Sequence, residues 1–120
     1  MEFRHVLVAG GGVLGAQIAF QTAFKGFPVT IWLRSEGSIG RTEPKLARLY
    51  NVYRAELARV GEAMLAGKPL DLPRGFGDAA AVKSAEDLDR LEKAVEAAKQ
   101  NIRLSLDLEE SVREADFIIT

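Results

Sequence analysis

Cysteine is absent from this 120-residue chain and histidine occurs once. Disulfides, thiolate metal sites and cysteine nucleophiles are therefore excluded by composition. With His5 as the one imidazole and no clustered carboxylates, neither a serine-nucleophile triad nor a metal cage has the side chains it needs. An excess of charge is lacking too: 16 basic residues stand against 17 acidic ones, a formal net charge of −1. With no basic stripe, nucleic acid and membrane surfaces are not expected partners. No apolar run approaches membrane-spanning length, and Met1-Glu2-Phe3-Arg4-His5 lacks a signal-peptide pattern, so a cytoplasmic location is the expectation. Internal repeats and low-complexity tracts are missing as well. The length allows one domain with a real core.

What the chain does have is Val6-Leu7-Val8-Ala9-Gly10-Gly11-Gly12-Val13-Leu14-Gly15-Ala16-Gln17-Ile18-Ala19. A short apolar run reads as a buried strand, and small and apolar residues continuing to about Phe24 read as a helix. Between them Gly10, Gly12 and Gly15 stand at G-x-G-x-x-G spacing. In a dinucleotide-binding turn the first glycine permits the tight bend and the second lets backbone approach a pyrophosphate. The third lets helix pack on strand. The helix N-terminus then offers free N–H groups and the positive end of its dipole to the phosphates. Val29-Thr30-Ile31-Trp32-Leu33 follows the breaker Gly26-Phe27-Pro28 as a second strand. Strand, helix and strand within about thirty residues make a right-handed βαβ unit. The first helix is expected to turn Leu14, Ile18, Thr22, Ala19 and Ala23 toward the sheet.

Residues 34–41 read as a polar loop with Gly37 and Gly40. Leu46, Leu49, Tyr53, Leu57, Val60 and Met64 then recur every three or four residues, the stripe of a long helix. Pro44 fits a first turn, which predicts a start between Ser38 and Thr42. Gly67-Lys68-Pro69, Leu72-Pro73-Arg74-Gly75 and Gly77 mark a long loop. A second helix runs from Ser84 to about Gln100, capped by Ser84 with Asp87 three residues on, and carries the stripe Leu88, Leu91, Val95 and Ala98. The two stripes predict an antiparallel helical hairpin whose helices bury each other. Ile102 to Leu106 alternates as a third strand. Glu109 to Glu114 reads as a short helix with Leu108 and Val112 facing inward, and Phe117-Ile118-Ile119 as a last buried strand.

The whole is a Rossmann-like, doubly wound α/β arrangement of about four parallel strands in the order 3-2-1-4. It is expected to form one partial dinucleotide-binding domain over residues 1–120, with the helical hairpin (about 42–100) inserted between the second and third strands. Phe117 to Ile119 would then lie at a sheet edge whose unpaired backbone groups favour pairing with another chain, possible as a homodimer.

At this point the sequence resembles the N-terminal domain of the 3-hydroxyacyl-CoA dehydrogenase family. The matching residues are Val8 to Ala19, Phe24-Lys25-Gly26-Phe27, Val29-Thr30, and Leu106-Asp107-Leu108-Glu109-Glu110-Ser111-Val112-Arg113-Glu114-Ala115-Asp116-Phe117-Ile118-Ile119. The resemblance is strong over the first forty or so residues and the last twenty. It implies reversible oxidation of a 3-hydroxyacyl-CoA with a nicotinamide cofactor, and an acyl-CoA substrate for the full-length protein. By resemblance Gly10, Gly12 and Gly15 bind the cofactor pyrophosphate, helped by the backbone at Val13 and Leu14. The family's catalytic His–Glu pair and helical dimerisation domain fall downstream of Thr120, so no catalytic residue is assigned and the chain alone is expected to be inactive. His5 is read as a surface residue without a role.

Two departures from the family pattern matter. Many members end the second strand with an acid that holds the adenosine ribose; here Leu33 stands there, and Arg34-Ser35 follows. Arginine pairs with a 2′-phosphate that an acid would repel, so NADP(H) is expected over NAD(H), bound through Arg34 and Ser35. The alternative leaves Arg34 solvated and gives the ribose to Glu36. Thr120 stands where the family usually has a glutamate. Lys45 and Lys68 are read as solvated lysines, with a coenzyme A phosphate as the alternative. Two other functions remain open. One is an NADP-linked reductase of another small substrate; the other is a non-catalytic nucleotide-binding or interaction module.

Overall fold

Val6, Leu7 and Val8 are all within 4% of complete burial, the signature of a strand covered on both faces. They belong to β1 (Val6–Ala9), one of the two inner strands of a sheet whose strands are all parallel. The computed structural model describes residues 5–68 and 84–119. Most of the expected loop from Gly67 to Val82 lies outside the described residues, as does Thr120.

After β1 come α1 (Val13–Phe24), β2 (Val29–Trp32), α2 (Glu36–Leu65) and α3 (Ala85–Gln100). They are followed by β3 (Ile102–Ser105), α4 (Leu108–Glu114) and β4 (Phe117–Ile119). The sheet order is β3-β2-β1-β4, as the sequence predicts. Val6 pairs with Val29 on one side and with Phe117 on the other, so the chain reverses its direction of growth across β1. This is the topological switch point of a doubly wound sheet, where the carboxyl ends of the strands open a crevice.

The long helix begins earlier than expected. Ser35 caps α2, its side chain accepting from the Ser38 N–H at 3.3 Å, so residues 36–41 are helical and Pro44 lies inside the helix. Pro44 removes a bond to the carbonyl four residues back, that of Gly40. Both residues are exposed, so water reaches the carbonyl that the ring leaves without a partner. α3 starts as expected, with Ser84 and Asp87 forming a reciprocal capping box.

α2 and α3 run antiparallel. Tyr50 meets Glu96 and lies 4.3 Å beneath the Lys99 ammonium, while Gly61, farther along α2, faces Leu88 near the start of α3. The stripes do more than cover each other. Leu57, Val95 and Ala98 join Phe20, Ala23, Phe24 and the strands in one core cluster. Tyr53 stands edge-on to Phe20 and Phe24, at centroid distances of 4.7 and 5.4 Å, and donates its hydroxyl to Gln21 Oε1. Thus α1 is the bed on which the hairpin lies.

Expected burial fails at five residues on three elements. Leu14 is 69% exposed, because the first turn of α1 overhangs the end of the sheet; Ala16, Ala19, Phe20 and Ala23 face inward instead. Leu108 and Val112 are exposed, and the close approach of α4 is made by buried Ser111, whose hydroxyl donates to Asp107 O at 2.6 Å. Phe117 and Ile118 are each nearly half exposed, since among the described strands β4 has a neighbour on one side only.

Candidate functional site

The turn between β1 and α1 is built from backbone. Gly10 has φ +116°, a conformation L side chains rarely adopt, and its N–H donates to Trp32 O at 3.0 Å. A Cβ on Gly15 would lie 2.3 Å from Gly10 O, so α1 seats against the turn only through a glycine. Gly12, the N-cap of α1, is extended, with nothing within 4 Å of the place a Cβ would occupy. The first bond of the helix runs from Ala16 N to Gly12 O at 2.8 Å. Val13, Leu14 and Gly15 therefore open the helix with N–H groups that have no carbonyl four residues back within it. Val13 and Leu14 are both strongly exposed, which leaves that turn open to a ligand.

Two hollows flank the turn. On the β4 side, one of about 190 Å³ is bordered by Gly10, Gly12, Leu14, Gly15, Ile18 and Ile119. On the β2 side, a larger one of about 390 Å³ is bordered by residues 9–12, Trp32, Leu33, Arg34, Ser38, Arg41, Thr42 and Lys45. Of the residues expected to take an adenosine ribose or its phosphate, Arg34 borders this hollow. Ser35 contributes the cap of the adjoining helix, and its Oγ lies 3.2 Å from Ser38 Oγ. Glu36 is exposed and does not border it. Leu33 is buried and packed toward Gly11: a Cβ there would lie 2.6 Å from Leu33 Cδ2 and 2.1 Å from Thr42 Oγ1.

Several residues here escape a reading from sequence. Gly11 falls between the spaced glycines, yet α2 crosses so close that no side chain fits. Thr42 Oγ1 lies within reach of two carbonyls, Ser38 O at 2.8 Å and Gly11 O at 3.3 Å. Lys45, expected to be solvated, is half-buried and donates from Nζ to Gly11 O at 3.2 Å. Arg41 donates to Ser38 Oγ at 3.0 Å. The signal was present: Ser38, Arg41, Thr42 and Lys45 are spaced i, i+3, i+4, i+7, one face of a helix. It is hidden once Pro44 is taken as the start. Lys68, beyond the other end of α2, is about 35 Å of helix from Lys45, so the two do not share a phosphate.

His5 sits at the opposite end of β1 from the glycine turn. It is half-buried, not a free surface residue: its Nε2 lies 2.6 Å from Thr30 Oγ1, and its carbonyl accepts from Asp116 N at 2.8 Å. Among the described residues no group of His, Asp and Glu could hold a metal, and no helix is long and apolar enough to cross a membrane.

Parallel strand order, a glycine turn at the switch point and a crevice above it define a Rossmann-like α/β fold. No family model and no curated protein matches the chain. Among solved structures, it is similar to a diketoreductase with dual catalysis of dicarbonyl compounds, at TM-score 0.65 and 28% identity, covering 98% of this chain and 31% of that one. It shares its fold with FadB2 of M. tuberculosis (TM-score 0.52, 18% identity, 98% and 30% covered). The (S)-3-hydroxybutyryl-CoA dehydrogenase PaaH1 of Ralstonia eutropha has it too (TM-score 0.52, 15% identity, 98% and 30% covered). The chain thus spans under a third of the length of these structures.

Proposed function

We propose that this chain is the cofactor-binding part of an NAD(P)-dependent oxidoreductase of the 3-hydroxyacyl-CoA dehydrogenase type. The observation that carries this reading is the open space over Gly12 at a helix start whose first N–H groups have no carbonyl four residues back within the helix. Gly10 makes the bend, Gly15 brings the helix close, and Gly12, Val13 and Leu14 present backbone donors to a pyrophosphate. The bound cofactor supplies hydride transfer, while the protein supplies position and electrostatics. The hollow beside β2 takes the adenosine end, with Arg34 and Ser35 favouring NADP(H) over NAD(H); the hollow beside β4 lies toward the nicotinamide end. An acyl-CoA is the substrate of the full-length protein, and the β4 edge offers a surface for a second copy.

The test is titration of NADPH and NADH into the protein and into Arg34→Asp. Binding of both, tighter for NADPH and reversed in the variant, is expected. Equal affinities in the parent would defeat the NADP(H) preference, and failure of both to bind would defeat the cofactor site. Acetoacetyl-CoA reduction by the 120-residue chain is not expected, because its one histidine stands about 13 Å of strand away from the turn. A second reading, reduction of a small dicarbonyl compound, draws on the 28% identity with the diketoreductase. The two agree on the cofactor and part on the substrate.

A further inference from the structure

The hollow beside β2 is bordered by three cations, Arg34, Arg41 and Lys45, and by no carboxylate. Among the described residues none of the three has an ion-pair partner. The ion pairs formed elsewhere, at Arg59, Arg90, Lys93, Arg103 and Arg113, do not involve them. Such a concentration is out of proportion to a ribose hydroxyl, which one carboxylate or amide satisfies. It matches a phosphate monoester, which carries about two negative charges and three acceptor oxygens. We propose that Arg41 and Lys45 are specificity-determining residues for the 2′-phosphate of NADP(H), completing with Arg34 a clamp closed from two sides. This rests on the cofactor reading above and goes beyond it by naming the residues of α2 that discriminate.

The geometry assigns different parts to the two. Arg41 is held by a relay in which the Ser38 N–H donates to Ser35 Oγ and the Arg41 guanidinium donates to Ser38 Oγ at 3.0 Å. Only one of its five N–H groups is spent in that relay, which leaves a fork for phosphate oxygens. Lys45 spends one of three protons on Gly11 O and has two for the ligand. It therefore links the pyrophosphate turn to the 2′-phosphate pocket, and Arg41 and Lys45 stand on one face of α2 opposite Arg34, which precedes the helix.

The experiment is calorimetric titration of NADPH, NADH, adenosine 2′,5′-bisphosphate, 5′-AMP and inorganic phosphate into the parent, Arg41→Gln and Lys45→Gln. Circular dichroism checks that each variant is folded. Each substitution removes a charge-assisted contact, so affinity for NADPH and for the bisphosphate should fall about tenfold; NADH and 5′-AMP should stay within about twofold for Arg41→Gln and fall less than NADPH for Lys45→Gln, which also loses its bond to the turn. Added salt should weaken NADPH more than NADH in the parent and less so in the variants. If both dinucleotides bind and neither variant changes the preference, the inference fails while the cofactor reading stands. If NADH weakens as much as NADPH, the two side chains only support the turn, and the inference again fails. Inorganic phosphate binding as tightly as the bisphosphate would make the hollow a general anion site and overturn the assignment. If no nucleotide binds, both readings fall together.

Discussion

Gly11, Gly12 and Gly15 make different demands although they lie within five residues of one another. At Gly15 an added methyl meets the Gly10 carbonyl, and at Gly11 it meets Thr42 and Leu33, so substitution works through the fold. At Gly12 it meets nothing, so on the proposed cofactor reading substitution works through the ligand. Gly12→Ala is expected to melt with the parent yet lose at least tenfold in dinucleotide affinity, measured by thermal denaturation beside titration. Gly11→Ala should lose roughly 1–3 kcal/mol of stability in denaturant unfolding, since an overpacked contact strains its neighbours. Spacing alone makes the bend at Gly10 and the close approach at Gly15 legible, because both are local to the turn. The role of Gly11 depends on α2, which approaches from thirty residues downstream, and no short-range pattern encodes it.

Among the elements, α2 shows where sequence reasoning is reliable and where it is not. Its stripe of Leu46, Leu49, Tyr53, Leu57, Val60 and Met64 is legible because burial against α1 and α3 needs a helical period. Its start is misread because a proline rule outweighed a serine cap, and the rule is relaxed where Gly40 and Pro44 face water. Burial on α4 and β4 is misread for another reason: apolar composition suggests a core, but these elements lie at the margin of the sheet. Tyr53 anchors α2 to α1, and burial pushes its hydroxyl above the ordinary tyrosine range, so it stays neutral. Tyr53→Ala should cost about 2–3 kcal/mol in denaturant unfolding, and Tyr53→Phe far less. At the other margin, the Arg103 guanidinium bonds Glu114 at 2.6 Å and holds its carboxyl below the ordinary value of 4.5. A lowered value favours the folded state above that ordinary value, and the benefit is lost as pH falls through the lowered one. Arg103→Gln should therefore flatten the acid limb of a stability-against-pH curve. Both groups are substantially exposed, and added salt should shrink the difference.

For the whole molecule, the switch-point sheet separates two kinds of surface. The crevice at the carboxyl ends is the proposed cofactor site, while the β4 margin presents Phe117 and Ile118, with Leu108 and Val112 of α4 also exposed. An uncovered strand carrying apolar side chains invites pairing. Sedimentation should show the average mass rising with protein concentration, and Ile118→Lys should hold it at that of one chain. An unchanged profile in that variant would remove the edge as the surface involved. The α/β order was legible because β-branched runs alternate with helical stripes, whereas the partner of an edge strand is not encoded in the strand itself.

Helix α2 spans 30 residues, about 45 Å, as a single continuous rod. Its near end grips the turn through Thr42 and Lys45; its middle rests on the aromatic rings of α1; its far end travels with α3. One element thus ties the aromatic contact at Tyr53 to the carbonyl of Gly11, and its seating on α1 sets how closely α2 approaches the turn.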